Sequence, residues 1–161
     1  MSLATLTSRF ASDGEVRWIG LRPARREAMI LVESAAVTLN GLTGDRRDHP
    51  GKRAVSLIQW EHLDVIAALA AREDLTPDLL RRNIAVSGIN LLGLRKRRFR
   101  IGAVLLQGTG LCAPCSRMEE TLGPGGYTAM RGHGGITAEV IEPGEIVLGD
   151  TLKPMGDEGF A

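Results

Sequence analysis

Aromatic residues are scarce in this chain, at 4% of its 161 residues, and the net charge is only +1. Both features argue against a nucleic-acid-binding protein, which usually presents a strongly basic surface and aromatic rings on which bases stack. The sequence has no apolar run approaching the roughly twenty residues that a membrane helix requires, and residues 1–13 lack the pattern of a secretory signal. We therefore expect a cytoplasmic protein that contacts neither nucleic acid nor a membrane.

Cysteine is also rare: the chain has two, Cys112 and Cys115, separated by Ala113 and Pro114. A disulfide between residues so close in sequence would constrain little of the fold. Reactivity or metal ligation is therefore the better interpretation of this pair.

The composition is that of a folded globular protein, with 43% hydrophobic and 24% charged residues. A chain of this length is large enough to bury one core. We therefore expect a single domain over residues 1–161, with a core spanning about residues 16–152 and flexible ends.

Short β-rich segments dominate the sequence. Residues 15–21 and 28–37 predict a pair of strands. Further strands are predicted at residues 54–58, 83–87 and 99–107. The last is interrupted at Gly102, where we expect a turn or a bulge.

Near the end of the chain, residues 136–140 alternate apolar and polar side chains. The pair Pro143-Gly144 is typical of a type II turn, which predicts a closing hairpin with residues 146–148. Many short strands with two or three helices predict a mainly β domain of α+β class, a β-barrel with peripheral helices.

Residues 60–72 predict a helix, because Leu63 and Ile66 are spaced for one buried face, and His62 should then be exposed. A second helix is predicted to begin at Pro114, which would place Cys115 in its first turn. There the unpaired backbone N–H groups and the helix dipole favour a thiolate, the reactive and metal-binding form.

Three other interpretations of the cysteines are open. Cys115 could be a small buried hydrophobic residue. The pair could act as a redox-active dithiol, although the preceding segments do not form the β-α-β unit of a thioredoxin. It could also bind zinc with His49 or His133, but the sequence offers no second close ligand pair.

Basic residues cluster in three predicted loops or strand edges. The first is Arg46-Arg47-Asp48-His49 with Lys52-Arg53, the second is Arg81-Arg82-Asn83, and the third is Arg131-Gly132-His133-Gly134-Gly135. Guanidinium groups bind phosphate as a fork, and glycines let a ligand approach the backbone. Together these residues could hold an anionic heterocyclic ligand, although each one alone is more often a solvated surface group.

In chain order, these motifs resemble the MOSC domain family, named for the C-terminal domain of molybdenum cofactor sulfurase. The resemblance rests on residues 41–57, on the Arg-x-Asn strand at residues 81–88, on Pro114-Cys115, and on residues 134–150. It implies a MOSC-type β-barrel and a pterin-based molybdenum cofactor whose metal is ligated by Cys115.

The resemblance also implies roles for other residues. Arg81 and Asn83 would contact the cofactor, while His49, Lys52 and Arg53 would line the same pocket. We expect His133 to contribute to it as well. At the level of the family, pyridoxal phosphate binding is a further expectation.

Three functions are compatible with these features. The first is a molybdenum-dependent oxidoreductase that acts on N-oxygenated or sulfur-containing small molecules and takes electrons from a separate donor protein. The second is a sulfur carrier with a persulfide on Cys115, received from a sulfur-donor protein, in which Cys112 resolves the persulfide. The third is a binding module without turnover.

Overall fold

A computed structural model describes residues 1–156, in which eleven strands form a barrel and a small accessory sheet. The strands are β1 (Gly14–Leu21), β2 (Ile30–Val32), β3 (Ser34–Thr38), β4 (Gly41–Leu42), β5 (Val55–Gln59), β6 (Ile84–Ser87), β7 (Arg98–Ile101), β8 (Val104–Leu111), β9 (Ile136–Glu142), β10 (Gly144–Val147) and β11 (Thr151–Pro154). The α helices are α1 (Leu3–Thr7), α2 (His62–Leu69), α3 (Ser116–Leu122) and α4 (Gly126–Met130), and 3-10 helices cover Pro77–Leu80 and Leu91–Leu94. None of the described helices is long and apolar enough to cross a bilayer.

Seven strands close the barrel in the order β1, β11, β7, β8, β9, β5 and β6, with β6 returning to β1. The pair β5–β6 is parallel and the other pairs are antiparallel. Strand β2 extends β1 outside the ring, and β10, β3 and β4 form a separate sheet. The predicted β-barrel with peripheral helices is therefore confirmed.

Alternation along the strands divides the apolar residues between two cores. On β5, Val55 and Leu57 join the large barrel core, while Ile58 points the other way. Ile58 packs with residues of α2 and α3, such as Ile66 and Met118, in a second core against the outer surface. Because β5 is buried on both faces, its apolar residues Val55, Leu57 and Ile58 do not alternate strictly with polar ones.

Two predictions about strands are wrong. The predicted strand 28–37 is interrupted at Glu33, and its halves enter different sheets, since β2 pairs with β1 and β3 pairs with β10. The predicted closing hairpin does not form, because β10 leaves β9 and aligns its Val147 with Ser34 instead. Thr151–Pro154 then closes the barrel.

Other predictions hold with adjusted limits. The predicted pairing of residues 15–21 with the next strand is confirmed. The predicted helix 60–72 is present as α2 but is shorter, and Gly102 lies at the turn between β7 and β8 with a φ of 56°. At the N-terminus, Phe10 packs partly buried against the barrel core. The flexible end expected after residue 152 falls partly on residues 157–161, outside the described part of the chain.

Candidate functional site

A cavity of about 490 Å³ lies where four loops meet. Arg22 and Arg25 follow β1, Arg46, Arg47, His49 and Arg53 lie between β4 and β5, Arg81 and Arg82 precede β6, and Cys112, Cys115 and Arg117 lie between β8 and the first turn of α3. Among the residues that the structure describes, no aspartate or glutamate lines the cavity. Eight arginines and two thiols therefore share one opening.

Cys115 is exposed at the mouth of this cavity, whereas Cys112 is 6% exposed. The prediction that Cys115 lies inside the first helical turn is wrong by one residue. Its backbone is extended, with φ of −116° and ψ of 173°, and its carbonyl accepts from Met118 N–H at 3.0 Å, which makes it the N-cap. Its side chain makes no capping hydrogen bond, so the sulfur atom remains free for other partners.

Arg82 holds the cysteine loop in place from below. It is 8% exposed, and its guanidinium donates to four carbonyl oxygens, those of Gly134 (2.9 Å), Leu80 (3.0 Å), Cys112 (3.4 Å) and Ala113 (3.5 Å). No carboxylate takes part in these contacts. A buried positive charge thus lies directly under the loop that carries both thiols.

A second buried group, Asp45, organises the arginine loops. Its carboxylate forms a two-pronged ion pair with Arg22, at 3.1 Å from Nε and 2.9 Å from Nη2, and accepts from Arg47 N–H at 3.1 Å. Burial alone would raise the pKa of Asp45, but the hydrogen bonds and charge of Arg22 and the Arg47 N–H lower it below its ordinary value. Asp45 therefore forms a close ion pair with Arg22.

Asn83 belongs to the same network and is fully buried. Its amide donates to Asp45 and to the Gly20 carbonyl, and its Oδ1 accepts from the N–H and the hydroxyl of Ser56. These contacts occupy both the NH₂ group and the oxygen atom of its side-chain amide. Asn83 thus supports the cavity from beneath, and a direct contact between Asn83 and a ligand is not part of this arrangement.

Arg81 lines the cavity but also fastens the loop after β1. Its guanidinium donates to the carbonyls of Glu27 and Ala24, and its backbone is left-handed, with a φ of 58°. Burial lowers the pKa of Arg81, and the positive charges of Arg117, Arg22 and Arg46 lower it further. This shift reports the concentration of cations around the cavity.

Several arginines have unused hydrogen-bonding capacity. The side chains of Arg25, Arg46, Arg53 and Arg117 form no hydrogen bond or ion pair with the rest of residues 1–156. The buried Nε of Arg47 also lacks a partner within that range. Buried polar atoms in native proteins are nearly always satisfied, so this nitrogen marks a position for an anionic group.

The other predicted site residues are distributed as follows. His49 and Arg53 line the cavity with Cys115 and Arg81, whereas Lys52 is exposed and outside the lining. Thr109 donates to the Lys52 carbonyl. The predicted ligand contacts of these residues stay predictions.

His133 lies in a different cleft, where its Nδ1 is 3.1 Å from Nδ1 of His62. The prediction that His62 is exposed is wrong, because the loop carrying His133 covers this first residue of α2 and leaves it half-buried. Burial lowers the pKa of His62 and His133 lowers it further, while Glu61 raises it in part.

Three cavity arginines were not among the predicted site residues: Arg22, Arg25 and Arg117. Arg22 and Arg25 follow β1, Arg117 lies in the first turn of α3, and no sequence motif relates them to the cysteines. Arg82 belongs to the predicted Arg81-Arg82-Asn83 segment, but the sequence does not distinguish this buried arginine from the half-buried Arg81 beside it.

Comparisons with known proteins agree with this architecture. The sequence profile of the MOSC domain matches residues 40–153. Among curated proteins, no sequence matches the chain significantly.

Among solved structures, the chain is similar to the YuaD protein from Bacillus subtilis, with a TM-score of 0.80 and 18% identity over 93% of this chain and 100% of that one. It is also similar to YiiM from Escherichia coli, with a TM-score of 0.69 and 21% identity over 88% of this chain and 70% of that one. YiiM from Geobacillus stearothermophilus gives a TM-score of 0.69 and 17% identity over 88% of this chain and 75% of that one. These structures share the fold, and because the profile match spans well over half of the sequence, the chain belongs to the MOSC domain family, which is associated with binding of the molybdenum cofactor.

Proposed function

We propose that this protein binds a pterin-based molybdenum cofactor in the arginine-lined cavity, with Cys115 as the metal ligand, and acts on N-oxygenated or sulfur-containing small molecules. The observation that carries the proposal is the shared cavity itself. An exposed thiol and eight arginines converge there without a lining carboxylate among the described residues.

The charge of the cavity favours a ligand with several negative charges. Arg22 is neutralised by Asp45, and the guanidinium groups of Arg25, Arg46, Arg53 and Arg117 have no anionic partner in residues 1–156. Packing such cations side by side is unfavourable unless a ligand compensates them. A phosphate group accepts two parallel N–H bonds from one guanidinium and so fits this set of donors.

The donor set also fits the metal end of the cofactor. A thiolate is a soft ligand of the kind that molybdenum accepts, and Cys115 is exposed with no hydrogen bond from its side chain to the helix that it caps. The unpartnered Nε of Arg47 offers one buried donor for a phosphate or pterin oxygen. Cys115 would hold the metal, and the loops between β4 and β5 and before β6 would hold the anionic end.

When bound, the cofactor supplies a metal centre that exchanges two electrons with a substrate. The chain's own residues would position the loops around the cavity and supply a proton to the substrate. Arg81 keeps the loop after β1 over the cavity through the Glu27 and Ala24 carbonyls, and Arg82 fixes the position of the cysteine loop. The imidazole of His49 lines the cavity and can give a proton to a departing oxygen or nitrogen atom of the substrate.

Cofactor analysis tests the proposal. The protein is purified from a host that makes the molybdenum cofactor, and its molybdenum and oxidised pterin are quantified beside a known molybdoenzyme from the same cells. We expect about one molybdenum per chain and a loss of at least tenfold in Cys115→Ser, with Cys112→Ser as the matched control. Protein without molybdenum or pterin, from cells in which the reference enzyme is loaded, would overturn the proposal.

A sulfur carrier is the second candidate, and one observation supports it: Cys112 lines the same cavity as Cys115. In that function Cys115 carries a persulfide, and the Cys112 thiolate attacks its inner sulfur atom. A Cys112–Cys115 disulfide forms and the terminal sulfur leaves as hydrosulfide, so the two electrons of the broken S–S bond leave with it.

Mass spectrometry separates the two candidates. After incubation with a cysteine desulfurase and cysteine, a carrier should show a single added sulfur on Cys115, retained longer in Cys112→Ser. An unmodified Cys115, with the desulfurase active towards another acceptor, would exclude the carrier function.

Pyridoxal phosphate is less well supported. The arginines suit its phosphate, but the described cavity lining includes no lysine for a Schiff base. An absorbance titration with pyridoxal phosphate would show whether binding occurs at all.

A further inference from the structure

A second cleft, also of about 490 Å³, shares no lining residue with the arginine-lined cavity. Its walls are mostly apolar and include Ile89, Leu91 and Leu111. Its polar groups include His62 at the start of α2 and His133 in the loop before β9. The proposed function uses neither histidine.

The two imidazoles form an unusual pair. Their Nδ1 atoms are 3.1 Å apart, and their rings meet edge to face with centroids 4.8 Å apart and an interplanar angle of 84°. Neither imidazole has another hydrogen-bond partner among residues 1–156. Most structural histidines donate one ring N–H to a carbonyl or carboxylate, whereas here two ring nitrogens, one donor and one acceptor, face each other in a solvent-accessible cleft.

We propose that His62 and His133 form a binding site for a divalent transition-metal ion of the kind that prefers imidazole, Cu²⁺, Ni²⁺ or Zn²⁺. The ion would take the place of the proton that the two Nδ1 atoms share. The site is independent of Cys115 and of any cofactor in the other cavity.

The distances suit such an ion. Metal–imidazole bonds are roughly 2.0–2.1 Å long, so two nitrogen atoms 3.1 Å apart subtend an angle of roughly 100° at a metal between them. That angle lies between the square-planar and tetrahedral values. Both imidazoles would be neutral, and the one that carries hydrogen on Nδ1 would move it to Nε2, so binding releases no net proton from a neutral pair.

The rest of the coordination sphere would come from solvent. In the described part of the chain, no group of three or more histidine, cysteine, aspartate or glutamate side chains is placed to hold a metal. Glu61 lines the same cleft, but its carboxylate accepts hydrogen bonds from the Gln59 side chain and from Gly88 N–H. Glu61 would therefore contribute negative charge near the ion rather than a coordination bond to it. Two protein ligands and several exchangeable positions predict a labile, open site rather than a closed structural one.

A small molecule bound in the cleft could occupy the open coordination positions of the metal. The apolar walls around the histidine pair could hold the hydrocarbon part of a small molecule whose carboxylate or amine binds the metal. The site would also link α2 to the loop whose Gly134 and Gly135 carbonyls hold Arg82 and Cys112. Metal binding should therefore stabilise the cysteine loop.

Metal titration tests the proposal, and the chain supplies its own control. Cys112→Ala/Cys115→Ser protein removes thiol ligation, and Ni²⁺ affinity is then measured by calorimetry. We expect one ion per chain and at least a tenfold loss of affinity in His62→Ala and in His133→Ala. His49→Ala, which removes the third histidine, should leave the affinity unchanged. If the protein binds no Ni²⁺, or if the three variants have equal Ni²⁺ affinities, the two histidines only share a proton and the proposal is overturned.

Two spectroscopic measurements test the assignment further. The Cu²⁺ electron paramagnetic resonance spectrum of the same protein should show coupling to two nitrogen atoms, and to one in His133→Ala. If the double cysteine variant does not fold, imidazole NMR signals of the wild-type chain serve instead. Substoichiometric Ni²⁺ should broaden those of His62 and His133 before those of His49, and the reverse order or equal broadening would contradict the site.

Discussion

The amide of Asn83 donates to Oδ1 of Asp45 over 3.1 Å and joins the start of β6 to the arginine-rich loop after β4. Asp45 is also the anchor of Arg22. The two buried residues thus fix the relative position of three loops that line the cavity. The loops that carry the arginines are therefore held in place by buried groups outside the cavity lining.

Replacing Asn83 should therefore damage stability. Asn83→Ala leaves the buried Ser56 N–H without its acceptor and removes one of the donors to Asp45 Oδ1, which we expect to lower the free energy of unfolding by about 2–3 kcal/mol. Urea denaturation measures it. Asn40→Ala is the control, because that exposed amide makes one long contact with Asp48, and its effect should stay within about 0.5 kcal/mol. Equal effects of the two variants would contradict the supporting role of Asn83.

Asp45 should make the fold sensitive to acid. Its folded-state pKa lies below the ordinary value of 3.8, so its contribution to stability is complete above the unfolded pKa and is lost as the pH falls through the folded one. The stability difference between wild type and Asp45→Asn should be largest near neutral pH and shrink below about pH 4. Unfolding curves from pH 7 to pH 3 measure this. A constant difference across that range, or a similar pH profile for the exposed control Asp48→Asn, would contradict the account.

Arg82 and Arg81 should respond differently to the same substitution. Arg82→Met leaves four carbonyl oxygens without their donor, and we expect a loss of about 3 kcal/mol together with faster hydrogen exchange at residues 112–115. Arg81→Met removes contacts to two carbonyls near the surface and should cost about 1 kcal/mol. Denaturation and hydrogen exchange measure both. Matching exchange rates in the two variants would show that Arg82 does not hold the cysteine loop.

The cavity should bind simple polyanions even without a cofactor. Pyrophosphate should raise the melting temperature, because it binds the folded state alone, and added salt should weaken the effect. Arg46→Ala/Arg53→Ala should reduce the pyrophosphate affinity by at least tenfold. Lys96→Ala/Lys153→Ala removes two exposed charges outside the cavity and should not change it. Equal loss in both double variants would indicate binding by overall charge rather than in the cavity.

The barrel was predictable because its signals are local. Residues 15–21 and 54–58 were predicted as strands from local patterns, and the structure has strands β1 and β5 there. The failures involve choices between distant partners. The Pro143-Gly144 turn gave no sign that β10 would pair with β3, more than a hundred residues earlier, rather than with β9.

The candidate site was predictable where a motif carried it. One pocket was expected to contain four of the predicted site residues, and one cavity is lined by all four: Cys115, Arg81, His49 and Arg53. Asn83 and His133 show the limit of such motifs. Whether a polar side chain faces a cavity, supports it from beneath or enters another cleft depends on packing around it, as with the carbonyls and hydroxyls that enclose Asn83.

The central claim is that Cys115 ligates molybdenum inside the arginine-lined cavity. X-ray absorption at the molybdenum edge tests it most directly, with protein purified from a cofactor-competent host. We predict one more sulfur neighbour at molybdenum in wild type and in Cys112→Ser than in Cys115→Ser protein that retains cofactor. Identical sulfur shells in all three, in samples whose molybdenum content has been verified, would contradict the claim.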